Sequence, residues 1–264
     1  MITMLDQLAA AIYLTALLVA ALAYALPRPV LLRVSVGFLV LGAVVHLATF
    51  SLFHTADPPI PLTDLPAAIS FMCWIAVVFS LILMSRVRLE ALILLVAPIA
   101  FLGTFFAALQ MGNPAPATTQ GSGSWPHVHV LLGGAGLALL GVSGLAGILF
   151  VIEYRNLKNR RLVERTVRLP SLEALDQVNR VSLLLGFPLI TLGVVSGMLW
   201  LSSVHDSFWT GSLHETFSLM AWMVYAILLG ARFALGQSAR RAAVSAVAGF
   251  LFLFFSVVVV EVIA

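Results

Sequence analysis

Six histidines are the side chains of this chain best suited to chemistry: His46, His54, His127, His129, His205 and His214. Neutral imidazole is a good ligand for haem iron, zinc and copper. His129 follows Trp125 by four residues, which puts both on one face of a helix, while His127 points roughly the other way. No Asp, Glu or Cys flanks His46 or His129 in the sequence, and among these two and His214 the only adjacent acid is Glu215, beside His214. A flat apolar cofactor held by imidazoles and aromatic rings suits such surroundings better than a hydrated cation, and haem has that character. His54, His127 and His205 are read first as wet loop or helix-end residues. His46, His129 and His214 are read either as one shared ligand site or as separate polar positions. Ionisable groups inside a bilayer are costly and tend to be functional.

These histidines must be held by membrane-spanning helices. Of the 264 residues, 61% are hydrophobic and only 9% are charged. A mean hydropathy of +1.09 leaves too little polar surface to cover a water-soluble particle of this size. Apolar runs fall at about 8–26, 30–54, 66–84, 89–110, 127–152, 181–203, 214–233 and 242–263. Each is long enough to cross a bilayer as a helix, which needs roughly 20 residues. The fold class is therefore all-α, a polytopic bundle of about eight transmembrane helices forming one domain over residues 1–264. Pro98 and Pro188 fall inside the fourth and sixth spans, where each should kink its helix.

All fourteen Lys and Arg residues fall in odd-numbered loops, from Arg28 and Arg33 in the first to Arg232, Arg240 and Arg241 in the seventh. The positive-inside rule then makes the odd loops cytoplasmic and puts both termini on the non-cytoplasmic side. On this topology all six histidines lie in the outer half or in outer loops. So do all five tryptophans: Trp74, Trp125, Trp200, Trp209 and Trp222. An interfacial belt suffices to explain Trp200 and Trp209, although a belt normally has members on both faces.

Other segments carry less chemistry. The fifth loop is the sizeable cytoplasmic segment, a basic surface suited to anionic lipid. Within it PSLEALDQVNR reads as a short helix with Ser171 as N-cap. The fourth loop, GNPAPATTQGSGS, reads as a mobile outer linker. Helix five carries a small-residue stripe at Gly134, Ala138, Gly141 and Gly144, which suits close helix packing first and a cofactor face second. The single Cys73 lies in an apolar run and excludes an internal disulfide. A pI of 9.5 does not signal nucleic-acid binding, because the basic residues lie between apolar runs and form no basic domain. The N-terminus has no basic stretch ahead of its apolar run, so a cleaved signal peptide is not expected. No nucleophile–base pair, phosphate loop or metalloprotease motif is evident, so the chain is not read as an enzyme.

Two segments resemble the cytochrome c assembly family, the haem-handling membrane proteins of CcsA and CcmC type. The opening of helix five, SWPHVHVLLGG, is similar to that family's segment around its external haem-ligand histidine, and His129 falls on that position. FWTGSLHETFSLMAWMVYAILLGAR resembles the stretch containing its tryptophan-rich haem-presenting motif, with Trp209, Glu215, Thr216, Trp222, Tyr225, Ala226 and Arg232 matching. His46 in GAVVHLATF, with LEALILLVAPIAFL, EYRNLK, LPSLEALD and GFPLITLGVVSGM, looks like the smaller YpjD/HemX-like branch. Three departures stand out. Gly211 and Ser212 replace the motif's second Trp and its Asp, Gly230 replaces a second transmembrane histidine, and the last helix has no histidine.

The resemblance implies a haem-handling protein of cytochrome c assembly or haem homeostasis, in a bacterial cytoplasmic (inner) membrane. Haem would be the cofactor, with His129, His214 and His46 as iron ligands and Trp125, Trp209 and Trp222 around it. Its partners would be haem itself, the bilayer, and other cytochrome c biogenesis or haem-biosynthesis proteins, with no nucleic acid. The alternatives are a regulator of a haem-biosynthesis enzyme acting through the fifth loop, and an accessory protein for divalent-metal transport.

Overall fold

Long apolar runs placed in lipid must satisfy their own backbone hydrogen bonds, and the chain does so with helices throughout. The computed structural model describes residues 2–26, 28–53, 60–86, 89–111, 125–159 and 170–263. His54, the fourth-loop segment and the basic residues 160–168 lie outside the described residues. The helices are α1 (Ile2–Ala25), α2 (Pro29–Phe53), α3 (Leu65–Arg86), α4 (Ile93–Met111), α5 (Trp125–Lys158), α6 (Leu172–His205), α7 (Leu213–Phe233) and α8 (Ala239–Ile263). A 3-10 turn, Glu90–Leu92, leads into α4, and no strand occurs among the described residues. All eight helices have the length and hydropathy of membrane spans. The protein is a multi-pass integral membrane protein. Exposed large apolar side chains such as Leu18, Val30, Ile227 and Phe254 are what a lipid-facing surface requires.

The expected short helix at residues 170–180 is not separate. Ser171 does cap it, its hydroxyl accepting from the Ala174 amide at 3.2 Å. However, the helix runs on unbroken to His205, because the first glycine is Gly186 and Pro188 falls within the helix without ending it. At 34 residues, α5 and α6 each span about 51 Å, well beyond a hydrocarbon core of about 30 Å.

The chain forms two compact units. Unit 1 is Met1–Pro116 with Ile152–Leu175. In it α1 packs on α2 and α4, and α3 packs on α4. The face of α1 is almost all alanine, with Ala9, Ala16, Ala20 and Ala23 buried around Tyr13, so neighbouring helices approach closely. Gly42 seats the Tyr13 ring, since a Cβ there would lie 2.5 Å from Cε1.

Unit 2 is Ala117–Val151 with Asp176–Ala264. Glycines bring the backbones of α5 and α6 together. A Cβ on Gly136 would meet the Ile190 amide at 2.6 Å, and one on Gly193 would meet Gly133 Cα at 2.7 Å. Within the stripe noted on helix five, Gly141 and Gly144 face Phe250 of α8, and beyond the stripe Gly147 faces the Ala243 carbonyl. The stripe is used for helix packing. Leu140, Leu183, Ile190, Ala221, Tyr225 and Leu253 form the core below.

Candidate haem-ligand site

The α5–α6 glycine seam fixes His129. Its Nδ1 lies 2.7 Å from the carbonyl oxygen of Gly193. A carbonyl only accepts, so Nδ1 carries the hydrogen and Nε2 keeps a free lone pair. The same carbonyl accepts from the Ser196 hydroxyl at 2.9 Å. Gly197, one turn on, leaves the space that the ring fills, because a Cβ there would lie 2.7 Å from Nδ1. The Trp200 ring flanks the imidazole, with centroids 6.2 Å apart and planes tilted by 39°. The His214 ring stands 6.1 Å away at 79°. His129 is half-buried and His214 is exposed.

The start of α7 aims His214. Ser212 is the N-cap, its hydroxyl accepting from the Glu215 amide at 3.2 Å. Glu215 folds back over the preceding turn. It accepts from the Thr210 amide at 2.8 Å, the Thr210 hydroxyl at 2.5 Å and the Gly211 amide at 3.0 Å. This is an extended capping box. Ser212 and the Asp of the related motif are interchangeable in that task, because both are strong N-caps. Gly211 differs, since its φ of +81° is a conformation a tryptophan adopts only with strain. Trp209 is exposed in this turn.

His46 lies in unit 1, among its own partners. Its Nδ1 is 3.1 Å from the Tyr13 hydroxyl and its Nε2 is 2.7 Å from the Ser70 hydroxyl. Ser70 in turn donates to Asp6 at 3.4 Å, and the second Asp6 oxygen is 3.7 Å from Nε2. An acid thus does stand beside His46, brought from α1 by folding. Phe50 stacks on the imidazole at 5.0 Å, and the Trp74 indole donates to the Ala43 carbonyl at 2.9 Å. His46, Asp6 and Ser70 are all fully buried.

The structure therefore brings His129 and His214 together and gives His46 a separate hydrogen-bonded setting. Trp125 opens α5 and is exposed. Trp222 lies eight residues, about 12 Å, along α7 from His214. Its indole donates to Thr191 at 3.0 Å and it stacks on Phe187 at 5.9 Å, against the core. His127 and His205 are exposed. Among the described residues no group of three or more His, Cys, Asp or Glu side chains is arranged to hold a metal ion. Sequence reasoning took Trp200 as a member of an interfacial belt and passed over Gly193 and Gly197. The GxxxG spacing in Gly193–Gly197 was the signal that a neighbouring backbone or ring comes close there.

Comparison with known proteins places these features in a wider set. The family model described as cytochrome C assembly protein matches residues 62–264, which includes His129 and His214 and leaves out His46. A cytochrome c biogenesis protein CcsA from Mesostigma viride is 25% identical over 215 residues, covering 72% of this chain and 70% of the relative. The CcsA of Porphyra purpurea is 26% identical over 278 residues, covering 90% and 87%. Among solved structures, the cytochrome c haem lyase CcmF has the same fold over 97% of this chain, with a TM-score of 0.65 and 18% identity. The chain spans half the length of that lyase.

Proposed function

The chain belongs to the cytochrome c assembly protein family, and on that premise we propose that it binds and presents haem during cytochrome c assembly, with His129 and His214 as the iron ligands. The observation that carries this reading is the bond from His129 Nδ1 to Gly193. It fixes the ring's tautomer and leaves Nε2 as the lone-pair donor, as the outer partners of ligating histidines do. The separation of the rings fits as well. Two imidazole–metal bonds of about 2 Å each, plus half a ring at either end, set centroids roughly 6 Å apart. The observed separation is 6.1 Å. Trp125 and Trp209 offer exposed aromatic surface for the flat ligand. His46, with both nitrogens engaged, is left out of the ligand set.

Haem supplies the redox-active iron, and this chain's residues bind and orient it without covalent chemistry of their own. The host membrane is read as a bacterial cytoplasmic membrane and the branch as YpjD/HemX-like. The charge pattern supports a position of the site at the outer face. Reporter fusions at residues 118 and 264 should then read outside and one at residue 160 inside; the opposite reading overturns that orientation.

The function is tested by the absorption spectrum of the detergent-purified full chain supplied with haem. The wild type should show a Soret band and a low-spin, two-histidine spectrum. His214→Ala should keep a Soret band but become high-spin, because one axial bond is lost. A wild type that takes up no haem contradicts the reading.

A further inference from the structure

The site holds a hydrogen-bond donor that the iron ligands do not account for. The Trp200 indole nitrogen is sealed from solvent and has no hydrogen-bond partner among the described residues. An indole N–H can only donate, and buried donors in native structures are paired. Trp200 follows Gly193 and Gly197 along α6 at spacings of seven and three residues, so it belongs to the helix face on which His129 lies. Its ring is 6.2 Å from that of His129.

Two acceptors of the site are already engaged. The Gly193 carbonyl already accepts from His129 and from Ser196. Both oxygens of Glu215 are taken, one by the Thr210 hydroxyl and the other by the Thr210 and Gly211 amides. An acceptor carried by the ligand would satisfy this donor. Resting on the haem reading above, we infer that Trp200 binds a carboxylate of the porphyrin, its indole N–H donating to a propionate. This makes the site selective for a porphyrin bearing free acids. The imidazoles of His129 and His214 would hold the iron, and Trp200 would hold a carboxylate at the edge of the ring.

The test titrates the full chain in detergent with haem and with iron protoporphyrin dimethyl ester, which keeps the iron and ring and lacks the carboxylates. The wild type should bind haem about tenfold or more tightly than the diester, the usual size of one hydrogen bond to a charged group. Trp200→Phe should lose that preference, binding haem about tenfold more weakly and the diester within twofold of wild type. Its Soret position should stay unchanged, because both imidazoles remain. Equal wild-type affinity for haem and diester overturns the inference, even should Trp200→Phe fail to fold. An equal loss for both ligands in Trp200→Phe also overturns it, since that marks a packing role. A wild type that binds neither porphyrin removes the haem reading itself, an outcome distinct from the other two.

Discussion

His129 Nδ1 and the Gly193 carbonyl oxygen lie 2.7 Å apart although the residues are 64 positions apart in the chain. The contact exists because glycines let α5 and α6 touch, so that a ring on one helix reaches the backbone of the other. Folding thereby sets the protonation pattern of a ligand before any ligand arrives.

Gly197→Ala tests that setting. The new Cβ would sit 2.7 Å from Nδ1 and 2.9 Å from Cε1 of His129, so the ring must move and release Gly193. Loss of an outer partner of this kind costs about 10–100-fold in metal-ligand affinity. Haem titration should show a drop of that size. Gly230→Ala is the control, since a Cβ there meets nothing within 4 Å, and it should bind as the wild type does. Undiminished binding by Gly197→Ala would refute the preorganised ring.

Haem affinity should also depend on pH with a definite sign. Only neutral imidazole supplies a lone pair to iron, so protons compete with the metal. Affinity should therefore fall as the pH is lowered into the range where the imidazoles take up protons. A titration series that is level across this range, or that rises in acid, contradicts imidazole ligation.

His46→Leu separates stability from binding. The substitution strips partners from the buried Tyr13 and Ser70 hydroxyls. Leaving buried polar groups unpaired costs about 1–3 kcal/mol, and the thermal midpoint of the solubilised protein should fall accordingly. Haem content per folded molecule should not change. A folded His46→Leu protein without its Soret band would restore His46 to the ligand set.

The helices were legible because an apolar run of spanning length has one solution in lipid. The run at 30–54 became α2 at Pro29–Phe53, and that at 214–233 became α7 at Leu213–Phe233. The start of α6 differs because its charged first turns, with Glu173 and Asp176, read as a short helix separate from the apolar run at 181–203, although nothing between Ser171 and Gly186 breaks a helix. In the site, the Trp125–His129 spacing was visible, being local. The Asp6–His46 pairing and the seating of His129 against Gly193 and Trp200 were not, because each depends on which helix faces join in the fold. The cap made by Ser212 was hidden behind its mismatch with the family motif, although Ser and Asp do the same work there.

The central claim is that His129 holds the iron, and the most direct measurement compares haem content and Soret absorption of purified wild type, His129→Ala and His127→Ala. His127 shares the helix end but is exposed, so it controls for disturbance of the helix. The account predicts that His129→Ala loses or strongly alters the Soret band while His127→Ala keeps it nearly intact. Equal haem content in wild type and His129→Ala, with both proteins folded, would contradict it.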